Sequence, residues 1–177
     1  MASNQPTQAI TVIPSDTINI PEPGSYLTGG NTGSGTTLTT AGAKFLGTFN
    51  AGNTGYSNRV AAGDVVYENT ATATQKIVTV VSVDSDTQLT VSAPGLTGGG
   101  ATYEIYRGNG GAQTQLPAGN EGFSLFVGTG GNIAVIPASS TDTVVLKNVP
   151  NSSFIPLQVA RVLLTGTTEP LDIVALR

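Results

Sequence analysis

The sequence predicts an all-β protein of two small antiparallel barrel or sandwich modules, preceded by an extended N-terminal arm. Apolar and polar residues alternate over short runs, and no stretch has the 3.6-residue period of an amphipathic helix. The 23 Gly and 10 Pro residues among 177 cluster between those runs, where turns are expected. Only 10% of the residues are charged, against roughly 25% in an average soluble protein.

The same composition excludes several classes of function. The chain has no His, Cys or Trp, so it lacks the residues of a Ser-His-Asp triad, a cysteine nucleophile, a zinc cage or a haem ligand. Seven basic against eleven acidic side chains disfavour a nucleic-acid surface. No apolar run approaches the ~20 residues that span a bilayer. We therefore expect a non-enzymatic protein with no catalytic residue, cofactor or metal, and with neither nucleic acid nor membrane as partner.

Residues 1–24 are predicted to form the extended arm. Pro14, Pro21 and Pro23 exclude a helix and a central strand, because proline lacks a backbone donor. The arm also carries four branched aliphatic residues, which we expect to bind a partner subunit: Val12, Ile13, Ile18 and Ile20. The alternative is a disordered tail that leads into an edge strand of the same chain, and the sequence leaves both interpretations open.

The first module is predicted over residues 25–107. Residues 25–40 are rich in Gly, Thr and Ser and are expected to form a surface loop, since they offer little apolar area to offset their ordering entropy. Alternating patterns then predict strands at residues 44–49, 65–67, 76–83, 88–92 and 102–107. The run at 76–83 is apolar enough to predict burial on both faces, and 84–87 are expected to form a turn.

A polar linker at residues 108–122 is predicted to separate this module from a second one at 123–177. The second module is expected to be a compact antiparallel sheet, with strands at residues 123–127, 132–136, 143–146, 154–164 and 172–176.

Two groups of residues could carry chemistry. Asp84 and Asp86, with Asp64 or Glu68, could hold Ca²⁺ or Mg²⁺, but the segment lacks the further carboxylates of a calcium loop, which favours a capped hairpin turn. Tyr103, Tyr106 and Arg107 could stack on bases or sugars. Tyrosines in an alternating strand are more commonly half-buried sheet residues, and we favour that interpretation.

Two stretches carry a resemblance to known proteins. The first resembles a small β-module that recurs in bacteriophage virion proteins, and it comprises Ala62-Gly63-Asp64-Val65-Val66-Tyr67, residues 76–83, Asp84-Ser85-Asp86-Thr87 and residues 88–92. The second is similar to a domain in small phage structural proteins, and it comprises residues 125–131, Asn148-Val149-Pro150, Ile155-Pro156-Leu157, Arg161-Val162-Leu163, residues 165–168 and residues 172–175.

The resemblance implies a structural protein at the surface of the phage particle. The first expectation is a capsid decoration (cement) protein that binds the outer capsid surface and stabilises it. The expected partners are the major capsid protein or other virion proteins, and the chain is expected to be a homo-oligomer, with a trimer as one candidate. The alternatives are a tail, collar or baseplate component and, from another class, a carbohydrate-binding module of a host-recognition structure. A low charge fits all of the structural interpretations, because docking then desolvates few ionised groups.

Overall fold

The computed structural model describes residues 6–49, 56–57, 59–68, 76–94, 101–108, 122–168 and 172–177. The chain divides into two compact units. The first unit joins Met1–Gly24 to Asn109–Arg177, and the second unit is Ser25–Gly108. Every regular element in the described part is a strand, and no helix there could cross a membrane. The predicted all-β class is therefore confirmed.

The strands are numbered in chain order. They are β1 (Ala9–Thr11), β2 (Leu27–Asn31), β3 (Thr37–Thr39), β4 (Thr48–Phe49), β5 (Tyr56–Ser57), β6 (Val65–Glu68), β7 (Ile77–Ser85), β8 (Gln88–Val91), β9 (Ala101–Tyr106), β10 (Phe123–Val127), β11 (Gly131–Pro137), β12 (Val144–Val149), β13 (Ser153–Val162) and β14 (Ile173–Leu176).

The second unit contains a six-stranded antiparallel sheet in the order β2-β9-β6-β7-β8-β3, with β4 and β5 as a separate ribbon. Its core is built from alternate residues of neighbouring strands, because successive side chains of a strand point to opposite faces. The buried members are Leu38, Phe45, Val60, Val66, Val78, Val80, Leu89, Val91, Tyr103 and Ile105.

Residues 25–40 do not form the surface loop predicted from their composition. They contain β2, which pairs with β9, and β3, which pairs with β8 and buries Leu38 opposite Leu89. Backbone pairing needs no apolar side chain. At Gly29 a side chain would be excluded, since a Cβ there would lie 2.5 Å from the hydroxyl oxygen of Tyr103 on β9. Glycine is thus required for close packing in this strand.

Two further predictions in this unit need correction. Residues 76–83 are not buried on both faces: Val78 and Val80 are buried, whereas Val81 is 55% exposed, so β7 has one solvent-facing side. Residues 44–47 precede a strand rather than forming one, and only Thr48 and Phe49 pair, as β4. Lys44 has a φ of 58°, in the left-handed region that a strand residue does not adopt.

The first unit contains a six-stranded antiparallel sheet in the order β1-β14-β10-β13-β11-β12. Strand β10 coincides with the predicted residues 123–127, and the four strands that follow it lie within a few residues of their predictions. Residues 6–24 belong to this unit, with β1 paired to β14. The predicted linker at 108–122 lies outside the described residues except at its two ends.

Candidate functional site

The four arm residues predicted to bind a partner lie along the first unit itself. Val12, Ile18 and Ile20 are buried and Ile13 is half-buried. Backbone bonds run from the amides of Val12, Ser15 and Ile20 to carbonyls of the same unit, at 2.9–3.0 Å. These three amides of the arm therefore bond within their own chain. In this position Val12, Ile18 and Ile20 offer no surface to a partner, and the predicted role in partner binding stays a prediction.

A buried arginine holds the arm in place. Arg161 on β13 is only 5% exposed. Its Nε donates to Oδ1 of Asn19 and its Nη1 to the backbone carbonyl of Asp16, both at 2.9 Å. Burial lowers the pKa of Arg161, and the charge of Asp16 opposes that shift. A buried cation needs such partners, because an unpaired charge in a low-dielectric interior is strongly unfavourable.

Asp16 makes a second connection between the arm and the sheet. Its carboxylate accepts hydrogen bonds from the backbone amide of Thr165, at 2.9 Å, and from the Thr165 hydroxyl, at 2.8 Å. The hydrogen bond from the Thr165 amide is the main cause of the lowered pKa of Asp16. We call Asp16, Asn19, Arg161 and Thr165 the arm lock. Sequence reasoning missed it; the available signal was a lone Arg within an apolar run, which requires a polar partner somewhere in the fold.

The second unit has its own buried polar centre at Asp64, which is 4% exposed. This carboxylate accepts from the Tyr26 hydroxyl at 2.5 Å, the Ala61 amide at 2.8 Å, Nη1 of Arg107 at 2.9 Å and the Gly108 amide at 3.3 Å. The Arg107 guanidinium also lies 3.9 Å from the centre of the Tyr26 ring. Burial, followed by the bond to Asp64, raises the pKa of Tyr26. Both carboxylate oxygens of Asp64 accept these bonds, so Asp64 connects the segments around Tyr26, Ala61 and Arg107.

The two aspartates considered for a cation lie at the β7–β8 hairpin. Asp84 accepts hydrogen bonds from the hydroxyls of Ser82 and Thr90, at 2.7 and 2.8 Å. Both bonds lower the pKa of Asp84, and the bond from Ser82 has the larger effect. Asp86 accepts from the Leu46 amide at 3.3 Å. Within the described ranges, no three acidic side chains gather as metal ligands would. Asp84 thus links the two strands of this hairpin, and Asp86 contacts the segment that precedes β4.

The tyrosines considered for stacking are buried. Tyr103 is 1% exposed and its hydroxyl donates to Oγ1 of Thr40, while Tyr106 is 8% exposed and its hydroxyl donates to Glu104. Burial raises the pKa of both hydroxyls. Neither ring presents a face on which a base or sugar could stack.

Exposed apolar side chains form a row on the first unit. Phe126 of β10 lies directly opposite Phe154 of β13 on one side and Val174 of β14 on the other. Phe126 is 39% and Phe154 54% exposed, and Val174 is partly exposed. Strands β10 and β14 contain no charged residue, and the one charged residue of β13, Arg161, is buried. We call Phe126, Phe154 and Val174 the Phe row.

The buried polar groups among the described residues hold structural segments together, and the Phe row is an apolar strip exposed on the first unit. Comparison of the chain with protein-family models, with curated proteins and with solved structures finds no match in any of the three.

Proposed function

We propose that this chain is a non-enzymatic structural protein of a phage particle, a decoration protein that binds the outer capsid surface and stabilises it. The observation that carries the proposal is the Phe row, an exposed apolar strip across three neighbouring strands. The resemblance of the sequence from residue 62 onward to phage virion proteins supplies the class of partner, which is the major capsid protein or another virion protein.

The physical argument rests on what docking would desolvate. Aromatic side chains dominate the energetics of protein interfaces, and charged residues are depleted at the centre of such interfaces. Covering the Phe row removes two phenylalanine rings from water without stripping water from an ionised group. Neighbouring side chains on the same face of β13, Pro156 and Gln158, are exposed and uncharged. A large and repeated contact with a protein shell is the use that this surface fits best.

Labelling of particles tests the location. An antibody raised against the purified chain is applied to phage particles from the source of the gene, and the particles are viewed by electron microscopy. Label on the heads supports a decoration protein. Label on tails overturns it in favour of the tail, collar or baseplate alternative. Unlabelled particles would overturn a structural role in the virion altogether.

Substitution tests the surface. In co-sedimentation with capsids that lack the protein, we expect the double variant Phe126→Ser, Phe154→Ser to bind at least tenfold more weakly than the wild type. Val81→Ser is the matched control, because Val81 is 55% exposed on β7 of the second unit. Equal binding by the double variant and the wild type would contradict docking through the Phe row.

The carbohydrate-binding alternative has less support. The residues expected to stack on a sugar were Tyr103, Tyr106 and Arg107. Both tyrosines are buried, and Arg107 stacks on Tyr26 and bonds to Asp64. A glycan array with the intact chain tests it directly, and specific retention of one sugar class would revive it.

A further inference from the structure

Strand β12 forms an edge of the first unit's sheet, and within the described residues it pairs only with β11. No residue of β12 is buried: Val144 is 39% and Val145 44% exposed, on opposite faces of the strand. The strand contains one charge, Lys147, and no proline. Natural proteins usually protect an edge with charges, prolines or a covering element, because the unpaired backbone groups otherwise accept another strand.

The hydrogen bonds of β11 show which backbone groups of β12 face outward. Val145 lies opposite Ala134. The Ala134 amide donates to Oγ1 of Thr167, at 3.0 Å, and its carbonyl accepts from the Leu163 amide, at 2.8 Å, so both groups point away from β12. Opposed residues of an antiparallel ladder alternate between bonded and non-bonded pairs. Ala134 and Val145 are a non-bonded pair, and the amide and carbonyl of Val145 therefore point to the open edge.

We propose that β12 pairs antiparallel with β12 of a second copy of this chain, about a twofold axis at Val145. In this register Val145 lies opposite Val145 of the partner subunit, and the two residues exchange both backbone hydrogen bonds. Val144 lies opposite Leu146 of the partner subunit, so apolar side chains meet on both faces. The contact is isologous, since the same edge supplies donors and acceptors on both sides.

Charge selects the register of this contact. With Val145 on the axis, Lys147 lies opposite the uncharged Thr143 of the partner subunit. Sliding each strand two residues toward Lys147 would bring the two lysines directly opposite each other, and like charges at that spacing are destabilising. The proposed register thus keeps the single charge of the strand away from its symmetry mate.

A contact of one short strand is smaller than the roughly 1,200 Å² of a standard stable interface, so the dimer of the free protein is expected to be weak. It does not depend on capsid binding and goes beyond the proposed function. It also yields a dimer, whereas the sequence left a trimer as one candidate.

Charge-swap variants test the proposal by sedimentation velocity from about 1 µM to about 1 mM protein, a range that spans weak association. We expect the wild type to dimerise with rising concentration. Val145→Lys and Val145→Glu should each stay monomeric, because each places like charges together on the axis, and an equimolar mixture should recover a dimer. Leu164→Lys is the control, since Leu164 is 53% exposed in the same unit but outside β12; it should dimerise as the wild type does.

A cysteine variant gives a second readout, because the natural chain has no Cys. Val145→Cys should form a disulfide-linked dimer under mild oxidation, and Leu164→Cys should not; opposed bonded pairs have Cα atoms about 5.5 Å apart, within disulfide range. A wild type that stays monomeric throughout, or a trimer that Val145→Lys leaves intact, would overturn the proposal. So would a mixture of the two charged variants that remains monomeric. The double variant of Phe126 and Phe154 should lose capsid binding but still dimerise, so the two proposals can fail separately.

Discussion

Arg161 explains why residues 16–19 follow the path they take. Its guanidinium is buried, and its partners Asn19 and Asp16 lie more than 140 positions away in the chain. The apolar run around Arg161 predicts a strand, and β13 confirms it. Such a run does not indicate which groups accept hydrogen bonds from the buried guanidinium. The side chain of Arg161 thus links a feature visible in the sequence to a contact that exists only in the fold.

We predict that Arg161→Ala lowers the free energy of unfolding by about 2 to 4 kcal/mol, since the buried Asn19 oxygen loses a donor at about 1–3 kcal/mol and the partly buried Asp16 carbonyl loses one at about 1 kcal/mol. The measurement is thermal unfolding followed by circular dichroism. Arg59→Ala serves as the control, because Arg59 is exposed in the second unit. Equal melting temperatures for the two variants would contradict a structural role for the arm lock.

Asp16 makes the arm lock sensitive to acid. The pKa of Asp16 is lowered from 3.8 in the folded protein, chiefly by the Thr165 amide. A group with a lowered folded pKa stabilises the fold above its unfolded pKa, and that contribution is lost as the pH falls through the folded value. We therefore predict that Asp16→Asn reduces stability at neutral pH, and that the difference from the wild type narrows as the pH falls below 3.8. Melting temperatures of both proteins across this range provide the check, and a constant difference would contradict it.

At the scale of elements, the arm is a structural part of the first unit. Strand β1 and the buried side chains of Ile10, Val12, Ile18 and Ile20 belong to this unit, so we expect removal of residues 1–24 to destabilise it. Burial of each contributes about 1.5–3 kcal/mol, and domains are commonly stable by only about 5–15 kcal/mol.

Two isoleucines of the arm provide a matched pair for a test. Ile20 is 3% exposed and Ile13 is half-buried. We predict that Ile20→Ala costs about 2–4 kcal/mol, whereas Ile13→Ala costs about 1 kcal/mol or less, because the cost of truncation grows with the cavity that it leaves. Thermal unfolding measures both. Equal costs for the two variants would mean that the arm leaves the sheet in solution.

At the scale of the molecule, the first compact unit is built from two segments that are not consecutive in the sequence. The second unit lies in the sequence between the two segments of the first unit. Its first and last parts meet at Asp64, which bonds to both Tyr26 and Gly108. A segment whose ends are held together in this way closes its own core, and such segments can fold apart from the chain that flanks them.

We predict that residues 25–108 expressed alone fold into a β-rich domain that melts cooperatively, as measured by circular dichroism and calorimetry. Residues 109–177 alone should not fold, because they lack β1 and the arm-lock partners Asp16 and Asn19, and addition of a peptide of residues 6–24 should restore the fold. A folded 109–177 fragment that ignores the peptide would contradict this division of the chain. It would support the separate C-terminal module predicted from the sequence.

The sequence by itself determined the class of fold and most local elements of the chain. Alternation with period two predicts strands because it matches the pleat, and the residues of β10 and the turn between β7 and β8 were predictable from local chemistry alone. The tertiary structure decided which strands pair, where the arm lies and what surrounds Arg161. Backbone pairing gives β2 its place despite a composition typical of loops, and that pairing depends on β9, far along the chain. Contacts between distant segments leave no local pattern in the sequence, so only the tertiary structure shows them.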